Sequence, residues 1–187
     1  MQYVDALKDN RSIEAIKEIL RKQSQRDLLL FVIGINTGLR ISDLLSLKVY
    51  QVWDGEKARE FLFIHDDRRG EDAPFYLNSK VQAELERYLT GSKLEQGDYL
   101  FRSKKNQGPI TRQQAYRIIH NAAQEAGIPG NFGTHTLRKT FGYHAYKKGI
   151  AVSIIMKTLH QHSSAETLKY IGIDKNEMQL VKVDVNL

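Results

Sequence analysis

TGLRISDLLSL, residues 37–47, is separated by Asn36 alone from LLLFVIGI, the longest apolar run of the chain, Leu28 to Ile35. The apolar run belongs to a hydrophobic helix predicted over residues 25–36, opened at Ser24 or Gln25 and ended by Thr37-Gly38. Ser42 stands where an N-cap belongs, and Asp43 would lie in the first turn to complement the helix dipole, so 43–48 is predicted helical again. Arg40 falls at the joint between the two helices, where an arginine is held rigidly yet can point into a cleft. The apolar run is much shorter than the about 20 residues that cross a bilayer, so it reads as a buried helix. The N-terminal stretch MQYVDALKDNRSIEAIKEIL has no basic-then-apolar signal pattern, which points to a cytoplasmic protein without membrane contact.

Working outward, Ile13, Ile16, Ile19 and Leu20 form the apolar stripe of a helix over 11–23. Between 49 and 78 the texture changes: VYQVWD and EFLFIH read as strands, DDRRGED as a charged turn and APFYLN as the return strand. A helix over 79–90 starts at Ser79, and DYLFRS is a short buried stretch before the loop KKNQGP. Thr111 caps a helix over 112–126 that Gly127 and Pro129 close. NFGTHTLRKTFGYHAYKKG enters a helix that stops at Gly149, a short helix follows near 152–158, and Ser164 begins a last helix carrying Tyr170. The expected class is α+β, mainly α-helical with one small antiparallel sheet. The 187 residues are expected to form one domain, with a core over about 10–173 and a tail at 174–187.

Lys and Arg total 28 against 22 Asp and Glu, and this net charge of +6 suits a polyanionic partner. The chain has no cysteine, which excludes disulfides, thiol catalysis and thiolate zinc sites. Four features could carry chemistry: Arg40, the pair His135 and Arg138 in THTLR, His162 in HQHSS, and Tyr170 in LKYIGI. His135 and Arg138 lie three apart, so a helix starting near Thr134 presents both on one face. Two fixed guanidiniums with a histidine near each are suited to grip the non-bridging oxygens of a phosphodiester and to stabilise charge building at phosphorus.

TGLRISDLLSL, THTLRKTFGYHAYKKG and LHQHSSAETLKYIGI resemble the three signature boxes of the tyrosine recombinase (phage integrase) catalytic domain, in that family's order and over about residues 10–175. The predicted strand pair also falls where that family has its small sheet. The resemblance implies that fold and a DNA transesterification needing neither metal nor nucleotide cofactor. Tyr170 would be the nucleophile, leaving a 3′-phosphotyrosyl bond and a free 5′-hydroxyl. Arg40 and Arg138 would carry transition-state charge, His135 and His162 would hydrogen-bond the phosphate, and His135 would be the general base. It further implies a double-stranded DNA partner, self-association into a tetramer on DNA with a monomer in isolation, a mobile-element role, and a tail docking on a neighbouring protomer. The N-terminal DNA-clamp domain usual in full-length integrases is not expected within these residues.

Two departures bear on activity. The lysine that this family carries in the sheet turn is replaced by Asp66-Asp67-Arg68-Arg69-Gly70, so Arg68 or Arg69 takes the place of the general acid. Arginine, with a pKa above about 12, gives up protons poorly, and slower strand cleavage is expected. His162 and Tyr170 are eight residues apart, one fewer than the family spacing, and Gln161 replaces the usual glycine. One residue less turns a helical side chain by about 100°. Lys104, Lys105, Arg112, Arg117, Lys139, Lys147 and Lys148 are candidate phosphate contacts outside the active site. Three alternatives stay open: a type IB topoisomerase-like enzyme, a catalytically degenerate DNA-binding module, and metal hydrolysis through His160 and His162.

Overall fold

Ser24 ends one helix and begins the next. In the computed structural model, which describes residues 4–66, 70–174 and 177, its N–H donates to the Leu20 carbonyl and closes α1 (Asn10–Gln23). Its hydroxyl accepts from the Asp27 N–H and opens α2 (Gln25–Thr37). α1 turns Ile13, Ile16 and Leu20 inward, and α2 is buried over Leu28–Gly34. α2 is the central helix, packed against α1, α5 (Ser79–Thr90) and α7 (Thr134–Lys147). Each fully buried leucine or phenylalanine contributes about 1.5–3 kcal/mol, so this helix organises the core. Gly38 ends it at φ +68°, and a Cβ there would lie 2.5 Å from the Phe141 ring, so both backbone and space require glycine.

Two expectations need correction. The helix after Gly38 is α3 (Ile41–Ser46), with Arg40 rather than Ser42 at its N-cap. The left-handed Gly38 turns the chain so sharply that Leu44 already donates to the Arg40 carbonyl, and the Ser42 hydroxyl bonds the Asp43 carboxylate instead. VYQVWD is not a strand: Val49–Val52 forms a helical turn, α4. Val49 and Val52 are buried while Tyr50 is exposed, an i, i+3 pattern, and the Gln51 side chain accepts from the Lys48 N–H to start the turn.

Among the described residues the sheet is one antiparallel pair, β1 (Phe61–Asp66) and β2 (Glu71–Tyr76), in register from Phe61↔Tyr76 to Asp66↔Glu71. Leu62 faces the core, while Phe61 and Phe63 lie on the solvent side, as strand alternation demands. Arg68 and Arg69 lie outside the described residues, as does the tail apart from Asp174 and Glu177. α6 (Arg112–Glu125) starts with a reciprocal cap: Thr111 accepts from Gln114 N–H, and the Gln114 side chain accepts from Thr111 N–H. α8 (Val152–Leu159) and α9 (Ser164–Tyr170) complete the chain's described helices.

Two apolar clusters result among the described residues. The larger fills the space among α1, α2, α5 and α6; the smaller, Tyr143, Tyr146, Ile155, Leu159, Ile171 and Ile173, lies under α8 and the end of α9. Gly142 lets that end approach α7 closely, since a Cβ would stand 2.5 Å from Ile171 Cγ2. The N-terminal segment lies along α7: Leu7 N–H donates to Thr140 Oγ1 at 2.9 Å, and Asp5 N–H donates to the Asn131 carbonyl at 2.8 Å.

Candidate active site

The turn after α2, the first half of α7 and the α8–α9 corner meet around a cleft of about 630 Å³. Arg40, His135, Arg138 and Tyr170 all line it. Residues separated by up to 130 positions are thus gathered by three short elements, each with a local reason for its place. Arg40 is fixed by the Gly38 turn and its N-cap position on α3. His135 lies in the first turn of α7 and Arg138 opens the second, the helix beginning where the Thr136 hydroxyl accepts from the Gly133 N–H at 3.0 Å. Tyr170 is the last residue of α9.

Arg138 holds the site together. Buried, it donates from Nη1 to the Gly38 carbonyl at 3.0 Å and from Nη2 to the Leu159 carbonyl. One guanidinium therefore ties the turn that carries Arg40 to the end of α8, next to the corner leading to Tyr170. Burial pulls this arginine below its ordinary range, and the neighbouring Arg40 adds to that, while Tyr170 and Asp43 offset it. It stays cationic at any physiological pH.

Tyr170 is half-buried, and that burial pushes its phenol above the ordinary tyrosine value; the charge and hydrogen-bonding reach of Arg138 oppose the rise. At rest the group is a protonated phenol. His135 keeps much of its surface open, but partial desolvation, with the charges of Arg112, Arg138 and Lys139, pulls its imidazole below the usual histidine range. It is neutral at pH 7 and has a lone pair to accept a proton.

His162 is exposed and is not among the residues lining the cleft; its N–H donates to Glu166 Oε2 at 3.1 Å. Glu166 N–H in turn donates to Ser163 Oγ, so Ser163 and Glu166 fix where α9 starts. At this corner the cleft is lined instead by His160 and Gln161. His160 is at φ +50°, the one non-glycine residue with positive φ among the described residues. A left-handed non-glycine costs on the order of 1–3 kcal/mol, and such residues collect at functional sites. Sequence alone offers His160 only a metal-binding option.

The other candidates scatter. Arg112 lines the cleft from the start of α6, and Arg117 is exposed one and a half turns further along. Lys104 and Lys105 line a second groove of about 690 Å³ with Arg26, Arg87, Lys93 and Arg102. Lys147 and Lys148 are exposed at the far end of α7. Lys139 is buried beside the cleft rather than on the surface.

The model of the phage integrase family matches residues 8–177. The chain belongs to this family. Phage integrases are enzymes that cleave and rejoin DNA strands. A probable integrase/recombinase of Bacillus subtilis, YoeC, is 35% identical over 94% of this chain and 93% of its own length. The tyrosine recombinase XerA of Pyrococcus furiosus is 27% identical over 94% of this chain and 60% of its own. The chain spans about half to three-fifths of this and other tyrosine recombinases that it matches.

The fold agrees. A crystal structure of XerA recombinase superposes with a TM-score of 0.76 at 21% identity, covering 94% of this chain and 61% of that one. A lambda integrase dimer bound to a core site superposes with a TM-score of 0.69 at 15% identity, covering 98% and 65%. The mainly helical architecture with a two-stranded antiparallel sheet is that of the phage integrase catalytic domain. Among the described residues no helix is long and apolar enough to cross a membrane.

Proposed function

We propose that this chain is a site-specific DNA recombinase acting in the cytoplasm, which breaks and rejoins strands through Tyr170 to integrate or excise a mobile element. The observation that carries the reading is the presence of Arg40, His135, Arg138 and Tyr170 around one cleft in a member of the phage integrase family. The Tyr170 oxygen attacks phosphorus, a Tyr170–O–P bond forms and the bond to the 5′-oxygen breaks. The phenolic proton passes to neutral His135, and the leaving 5′-oxygen takes a proton from solvent water and ends as a hydroxyl. Arg40 and Arg138 hold the non-bridging oxygens, where charge grows in the transition state. Arg68 steadies the departing oxygen electrostatically, and attack by the 5′-hydroxyl of a partner duplex reverses the step and exchanges strands. His162 contacts the phosphate only if the corner moves on DNA. Arg112, Arg117, Lys104 and Lys105 bear on the DNA backbone and Lys139 lines the cleft; protomers assemble on DNA as a tetramer.

The test is covalent capture on a nicked suicide-substrate library. An SDS-resistant adduct whose DNA-linked peptide contains Tyr170, with sequencing revealing a preferred site, supports the reading. Salt-sensitive DNA binding without any adduct replaces it with a degenerate DNA-binding module. Relaxation of supercoils without strand exchange replaces it with topoisomerase action.

The state of His135 sets a pH dependence. A base must be unprotonated, and the lowered imidazole value keeps it so to more acid pH than an ordinary histidine of about 6.5. The acid limb of the single-turnover cleavage profile is expected to have its midpoint below 6.5. His135→Gln is expected to remove that limb and lower the plateau by about 10²–10⁴-fold.

A further inference from the structure

Lys139 follows Arg138 on α7, and its ammonium links the N-terminal segment to the Tyr170 ring. It donates to the Val4 carbonyl at 2.8 Å and stands 5.3 Å from the centroid of the Tyr170 ring. The lysine is only 6% exposed, so a DNA phosphate has little access to it. Its stem is packed on α7 while the N-terminal segment clasps its head. A cation held at this distance from a phenol favours the phenolate over the neutral ring, more so in a partly dry site than in water.

We propose that Lys139 is a positioning residue for Tyr170, a fixed cation that eases ionisation of the nucleophile and holds its ring against the N-terminal segment. The proposal rests on Tyr170 being the nucleophile. It gives the half-buried phenol a second cation besides Arg138, one that the N-terminal segment holds through the Val4 carbonyl. Arg138 spends two of its donors on backbone carbonyls. Other charges bear on the pair as well. From the N-terminal segment Asp5 raises Lys139 against the lowering by burial, and Arg138 lowers the phenol against its own burial; Arg40 and Asp43, from the α2–α3 turn, act on Arg138. Arg112 at the start of α6, His135 on α7 and His160, Glu166 and Lys169 at the α8–α9 corner share the cleft.

The experiment replaces tyrosines biosynthetically with difluorotyrosine, which ionises nearer neutrality, and follows the residue-170 resonance by fluorine NMR, assigned with Tyr170→Phe. Lys139→Gln keeps a donor for the Val4 carbonyl and removes the charge. Its residue-170 titration is expected roughly one pH unit above that of the parent. Lys139→Arg is expected to restore the parent titration, and Asp5→Asn to lower it. An unchanged midpoint in Lys139→Gln, or failure of the arginine variant to restore it, overturns the proposal; were Lys139→Gln not to fold, an Asp5→Asn midpoint at or above the parent's overturns it. The measurement uses DNA-free protein. The absence of an adduct in the capture assay would count against the function, while an unmoved titration would count against Lys139 alone.

Discussion

Tyr170→Phe is expected to reduce covalent adduct formation on a suicide substrate to background, while salt-sensitive DNA binding and the melting temperature stay close to the parent. Only the phenolic oxygen is lost. The ring still packs at the end of α9, and Ile171, fully buried beside Gly142, still anchors that end. No other residue of the described cleft offers a hydroxyl on the same helix end: Lys169 and Glu166, its α9 neighbours there, carry an ammonium and a carboxylate. An adduct persisting in this variant would move the nucleophile elsewhere, and peptide mapping would say where. Gel electrophoresis under denaturing conditions, beside a filter-binding titration in salt, measures both quantities.

Arg138 should show the second largest effect, for two separable reasons. Removing a charged donor aimed at a transition-state oxygen costs about 10²–10³-fold in rate. Arg138→Ala also strips the buried Gly38 and Leu159 carbonyls of their partner, at about 1–3 kcal/mol for each left unsatisfied. The alanine variant should therefore both melt earlier and lose cleavage. Arg138→Lys keeps a positive charge but reaches one carbonyl at most, since an ammonium lacks the planar fork. It should recover part of the stability and little of the rate. Single-turnover cleavage and thermal melting, run on both variants, separate the two contributions; equal cleavage by parent and lysine variants would remove Arg138 from the reaction.

Most of the helices are legible in the sequence because their boundaries are chemical. Ser24, Thr111 and Ser163 each cap the start of a helix, and Gly38, Gly127 and Gly149 adopt the left-handed backbone that stops one. Val49–Val52 reads as a strand because two buried valines three apart sit inside a short β-branched and aromatic stretch, where local propensity favours a strand and tertiary burial decides otherwise. Arg40, His135, Arg138 and Tyr170 are legible as residues, and their gathering around one cleft comes from chain order and resemblance rather than from any local pattern. The contacts that a sequence cannot express are backbone-borne. The Arg138 contacts go to the Gly38 and Leu159 carbonyls, and the Lys139 contact goes to the Val4 carbonyl; every residue has a carbonyl, so no side-chain pattern marks these. The corner at His160 depends in the same way on a left-handed φ angle, which no side-chain pattern marks.

The two apolar clusters have a consequence for how the molecule opens. The large cluster holds α1, α2, α5 and α6, while α8 and the end of α9 rest on the small group around Tyr143, Leu159 and Ile171. Free energy of opening scales with the apolar contact that must be broken, so a small cluster defines a unit that can exchange its amides with solvent without global unfolding. Tyr170 rides on that unit and Arg40 belongs to the other. The nucleophile and half of its charge clamp thus have different lifetimes in place, and the assembled site exists only while the weaker unit is shut.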